Sequence, residues 1–186
     1  RAQSDVTLYH APAEMYAASI FGTAWINELG SRHAMKRWLL LADADELLVW
    51  PGCEQEGMSG LITRAERMGL NRVFTPLIDV YPDRPCDELA PYESGRPFSD
   101  WCQWMDPVQH TKAFWNEQRL FLFSGPRMRF KQAGKNPPIM TKQKLYFVEH
   151  GGYQNFNSHF DSYGRPSPLV APFLHYKFLA DFGTRV

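Results

Sequence analysis

Residues 38–42 are apolar without interruption, run directly into the acids Asp43, Asp45 and Glu46, and are followed by Leu47, Leu48, Val49 and Trp50. A continuous apolar run of this length reads as a strand covered on both faces, which predicts a parallel or mixed sheet. The acidic DADE segment would then sit just past the strand's carboxyl end, where open α/β sheets bind ligands. In extended backbone Asp43 and Asp45 face the same side about 7 Å apart, and a turn would bring both toward one ion. Two buried, unpaired carboxylates are costly, so a divalent cation is their natural partner. Ligation by one or two carboxylates suits Mg²⁺ or Mn²⁺, which complete their shells with water and substrate phosphates. The plain alternative is a solvated loop whose acids cap the next element or pair with Lys36 or Arg37. The apolar residues on both sides of DADE weigh against it.

The rest of the chain predicts elements that alternate. Residues 5–10 (DVTLYH) read as a short strand. Residues 13–34 carry apolar positions at three- and four-residue spacing, interrupted by Gly22 and Gly30, as in one long or broken helix. After Pro51 and Gly52, SGLITRAERMGL predicts a helix with Ser59 near its N-cap and Gly69 near its end. RVFTPLIDVY reads as a strand, so the order is that of an α/β layer fold. Residues 82–107 hold five prolines and no periodicity, which marks a long functional loop. RLFLF and KLYFVEH read as strands, followed by the loop GGYQNFN and the segment LVAPFLHYKFLADF.

At 186 residues the chain is long enough for a single domain, 1–186, with a real core. Lys plus Arg number 20 and Asp plus Glu number 20, so no net field gathers a polyanion and nucleic-acid binding is disfavoured. Apolar runs fall well short of the roughly 20 residues of a membrane helix, so no transmembrane segment is expected. Cys53, Cys86 and Cys102 form no CxxC pair, which favours a reducing compartment.

WLLLADADELLVWPG resembles the segment around the Asp-x-Asp motif of glycosyltransferase family two enzymes of the GT-A fold, in a bacterial branch that writes the motif as DADE. FTPLIDVYP is similar to the strand and Asp-x-Tyr turn that follow there, and FLHYKFLADFGTRV to its C-terminal segment. The three stretches keep the order and spacing of that branch from Val6 to Val186.

The resemblance implies a GT-A-like mixed sheet flanked by helices. It also implies transfer of a sugar from a nucleotide-sugar donor to a carbohydrate or glycolipid acceptor hydroxyl, in bacterial surface polysaccharide synthesis, with Mn²⁺ or Mg²⁺ as cofactor. Asp45 would bind the metal, Asp43 the metal or the donor ribose, and Glu46 the loop or the donor. His175 would supply a late ligand to the metal or diphosphate, with His159 its competitor, and Lys177 would neutralise phosphate. An inverting enzyme needs a carboxylate base: Asp100 in the Pro-rich loop is the first expectation and Asp79 the second, with Trp101 and Trp104 stacking on a sugar. Either acid could instead be a turn or cap residue. Lys135, in a loosely matching Lys-x-Pro segment, is assigned a structural role. The family's nucleotide-binding strands are not found before Val6, so the chain is expected to be the C-terminal portion of a longer domain. A cytoplasmic place at the inner face of the membrane is the matching location.

Two other classes compete. A metal-dependent phosphohydrolase also gathers acids after a strand, but a haloacid dehalogenase would need a hydroxyl residue where this chain has Leu47 and Leu48. A noncatalytic carbohydrate-binding module would use Trp101, Trp104 and Trp115, with DADE incidental.

Overall fold

A computed structural model of the chain describes residues 5–20, 22–116, 119–130, 138–150, 159 and 166–180. The loop GGYQNFN and Lys135 lie outside the described residues. The architecture is mixed α/β, with few helices and several small sheets. No helix among the described residues is long and apolar enough to cross a membrane.

Strand β1 (Trp38–Leu40) pairs antiparallel with β8 (Leu145–Phe147), which pairs antiparallel with β3 (Arg72–Val73). Its side chains are half-buried, short of the full cover expected, and alternate between two clusters, one on each face. Trp38 and Leu40 pack toward Leu61 and Ala65 of helix α2 (Cys53–Arg67), while Leu39 and Leu41 pack with Ala34, Tyr146 and Val148 beyond helix α1 (Thr23–His33). The sheet is nevertheless antiparallel rather than parallel or mixed, because an apolar run reports two-sided burial and not strand direction.

The helical pattern of residues 13–34 is indeed broken, into a 3₁₀ turn at Ala13–Met15 and α1, with Gly22 as the N-cap of α1. Helix α2 starts at Cys53, six residues before the expected Ser59. Gly57, at φ 61 and ψ −175, interrupts it with a conformation that only glycine adopts at ease. The predicted helix is the part beyond that kink. The predicted strand at residues 5–10 does not form: Val6 and Leu8 are exposed, and among the described residues no edge pairs with them. An alternating stretch without a partner strand has nothing to hold it extended.

RVFTPLIDVY is not one strand but two in different sheets, β3 and β4 (Leu77–Tyr81), split at Pro76, which has no N–H for a ladder. The second sheet runs β2 (Glu46–Leu48), β9 (Phe173–His175), β4 and β5 (Trp104–Met105). It is mixed: β4 and β9 are parallel, and the outer pairs are antiparallel. RLFLF forms β7 (Arg119–Phe123), which pairs with β6 (Lys112–Asn116) as a two-stranded ribbon.

Between the sheets, residues 140–144 are all buried. Their backbone is held on both sides: Leu77 N donates to Met140 O, Thr75 N to Lys142 O and Leu41 N to Lys144 O. A polar stretch survives there because its backbone groups are paired and Lys142 finds counterions in Asp43 and Glu46.

Candidate functional site

In the register of the mixed sheet, Glu46 lies opposite His175 and His175 opposite Asp79. Side chains in register share a face, so three titratable groups stand in one row. Two residues away on the same face, Leu48, Phe173 and Leu77 pack with Met140. One face is thus apolar at one end and charged at the other. At the charged end β9 finishes on His175, β2 begins directly after Asp43 and Asp45, and Asp79 is the middle residue of β4.

Every buried charge in the row has an opposite. Lys142, its side chain 4% exposed, donates to both oxygens of Glu46, 1% exposed, and to Asp43 Oδ2 at 3.1 Å. Glu46 Oε2 also accepts from the backbone N–H of Asp43 at 2.9 Å, closing the DADE turn. The Asp79 side chain is wholly buried and held by Arg127, whose Nε donates to Oδ2 at 2.8 Å and Nη2 to Oδ1 at 2.9 Å. This fork-to-carboxylate geometry is the strong form of the ion pair. Gly125, at φ +83, lets the chain pass close by: a Cβ there would lie 2.6 Å from Asp79 Oδ2.

His175 joins the two halves. Its Nδ1 stands 2.8 Å from Asp79 Oδ1, and since a carboxylate only accepts, Nδ1 carries the proton. Its Nε2 faces Asp45 Oδ2 at 3.6 Å, an ion-pair distance. Burial pushes the imidazole down, but Asp45 and Asp79 outweigh it, and the net shift is upward. The imidazolium in turn is the largest influence on Asp45 and holds its carboxyl below the ordinary range against partial burial, with a smaller contribution from Lys177. Tyr176 N donates to Asp45 O at 2.8 Å and fixes the two segments together.

The sign of the pH dependence follows. A histidine raised on folding stabilises fully below its unfolded value of about 6.5, and that contribution is lost as pH rises through the raised value. The Asp45 contribution is present above its unfolded value and lost as pH falls through the lowered one. The urea midpoint of the metal-free protein should therefore fall between pH 6 and pH 8, and His175→Gln should flatten that slope.

The structure brings Asp43, Asp45, Glu46, Asp79 and His175 into one neighbourhood, with Lys177 close enough to act on Asp45. Asp79, expected second as a base, has both oxygens taken by Arg127 and His175. Asp100 lies instead in a 3₁₀ turn (Phe98–Asp100) of the Pro-rich loop, where Arg96 Nε donates to it at 2.9 Å. His159 points its Nδ1 at Thr141 O, 2.9 Å away, and burial pushes it down. Lys142 and Arg127 are the residues that sequence reasoning misses. TKQK spells a solvated loop, and its one usable signal is the alternation of Met140, Lys142 and Lys144 leading into β8.

Asp45 and His175 are the residues that could share a cation, and Asp79 behind Nδ1 is the carboxylate that would orient a ligating histidine. Among the described residues no group of three or more His, Cys, Asp or Glu is placed to hold an ion. A cavity of about 220 Å³ lies beside Asp43, walled by Leu41, Lys142 and Lys144. No protein-family model, no curated protein and no solved structure matches this chain.

Proposed function

We propose that the chain is a metal-dependent glycosyltransferase of GT-A-like architecture, which moves a sugar from a nucleotide-sugar donor to an acceptor hydroxyl in bacterial surface polysaccharide synthesis. The observation that carries this reading is the Asp45 and His175 pair at the carboxyl end of β9, backed by Asp79 within β4. Asp45 and His175 would hold Mn²⁺ or Mg²⁺, and the bound ion would offset charge on the departing nucleoside diphosphate. Lys177 supplies positive charge for the phosphates. Asp43 faces the donor from the exposed side, and Glu46 holds the turn that presents it. In the reaction the bond from the anomeric carbon to the diphosphate oxygen breaks, a bond to the acceptor oxygen forms, and the acceptor proton passes to a carboxylate, assigned to Asp100. Asp79 is a positioning residue in this scheme, since its oxygens are already committed.

Calorimetric titration with UDP and GDP, with and without Mn²⁺, tests the reading. Binding should require the metal and should weaken at least about tenfold in Asp45→Ala. Absence of metal-dependent binding to the folded protein, or binding unchanged in Asp45→Ala, would overturn it.

A further inference from the structure

The Pro-rich loop does more than connect. Trp101 Nε1 donates to Ala90 O at 2.9 Å, and the Trp101 ring rests against Tyr92 and under Arg96. Tyr92 stacks on Phe98 and Phe98 on Tyr176, which ties the loop to the residue after His175. Cys102 is buried and its Sγ donates to Phe178 O, with burial pushing the thiol up to about 11, so it is an anchor rather than a nucleophile. The loop is held in one shape before any ligand arrives, which lowers the cost of binding.

That shape encloses a cavity of about 330 Å³, within the range of ligand pockets. Asp83, Glu88 and Asp100 line it against a single lining cation, Arg84, with Trp101 and Trp104 as its aromatic walls. Trp104 is 58% exposed although it lies opposite Tyr81 in the ladder, two residues beyond Asp79. One wall of the cavity is thus carried by β5, the strand paired with β4, which also bears Asp79.

We infer that this cavity binds saccharide, and that the sugar it takes is neutral or carries an amine rather than a carboxylate or phosphate. An exposed indole beside carboxylates suits a ring with an apolar C–H face and a rim of hydroxyl donors: the indole covers the face and the carboxylates accept from the rim. Asp83 and Asp100 already accept from Arg84 and Arg96, yet each carboxylate keeps lone pairs for a ligand. Arg84 pairs with Asp83 and Arg96 with Asp100, so Glu88 leaves the lining with a negative balance that disfavours an anion and favours a hydroxyl or an ammonium. The inference deepens the glycosyltransferase reading by naming the acceptor's chemical class, and rests on it only for the cavity's role as the acceptor side.

The test is binding to a printed array of neutral, amino-sugar and uronate glycans in EDTA, without nucleotide, for the intact protein and for Trp104→Ala and Trp104→Phe. Neutral or amino-sugar glycans should be retained in preference to uronates, about tenfold more weakly by Trp104→Ala, with recovery in Trp104→Phe. Retention of no glycan, preference for uronates, or indifference to Trp104→Ala would each overturn the inference. The nucleotide titration is independent of this experiment. Glycan retention without metal-dependent nucleotide binding would sink the transferase and leave the saccharide site standing, as in a noncatalytic module.

Discussion

Lys142→Met should lower the stability of the protein by about 3–5 kcal/mol, the loss expected when one partner of a buried ion pair is removed. The ammonium lies between Asp43 and Glu46 and 5.2 Å from the centre of the Phe173 ring, on a side chain only 4% exposed. Without it the Glu46 carboxylate keeps only the Asp43 N–H and must stay charged in an apolar surrounding or take up a proton. Asp43, 68% exposed, loses little. Urea unfolding measures the loss, and the double variant Lys142→Met with Glu46→Leu should recover most of it, since removing both charges removes the stranded one. A Lys142→Met midpoint equal to that of the parent would mean that the pair contributes nothing and that the DADE turn is held by its backbone alone.

Asp79→Asn is expected to weaken metal-dependent nucleotide binding about 10–100-fold, the range seen when the group behind a metal-binding histidine is altered. The amide keeps the volume of the acid but not its charge, so Arg127 loses its counterion and His175 one of the two acids that raise it. A purely structural role would change stability alone. The distinguishing readout is therefore the NMR titration of the His175 imidazole in the metal-free protein, which should move to lower pH in Asp79→Asn. An unchanged titration would show that Asp79 braces Arg127 and does not tune His175. Asp79→Ala leaves two cations facing an empty space and should cost about 3–5 kcal/mol as well.

Local pattern and composition carried a good part of the architecture. The apolar run at residues 38–42 announced a strand with apolar contacts on both faces because alternate residues on a strand face opposite ways, and the strand that forms, Trp38–Leu40, is half-buried rather than fully covered. RLFLF was legible as a strand for a related reason: its apolar and aromatic residues suit a pleated surface. The helix beyond Gly57, the broken helix before β1 and the long Pro-rich loop were legible because spacing, glycine and proline act over a few residues.

Other features depend on contacts between distant positions. DVTLYH has the alternation of a strand, yet alternation supplies only the willingness to pair, and the described residues offer it no edge. The transfer of the chain from one sheet to the other at Pro76 is likewise decided by residues 140–144, which receive Thr75 on one side of the proline and Leu77 on the other.

The site divides in the same way. The sequence by itself determined that acids sit beside a buried strand and that a histidine and a lysine occur late in the chain, because charge next to apolar residues is a local property. Only the tertiary structure decided that Glu46, His175 and Asp79 stand in one row, since that depends on the register of three strands. It alone also matched them with Lys142 and Arg127, because a buried charge selects its counterion by distance in space, across about a hundred residues for Lys142 and Asp43.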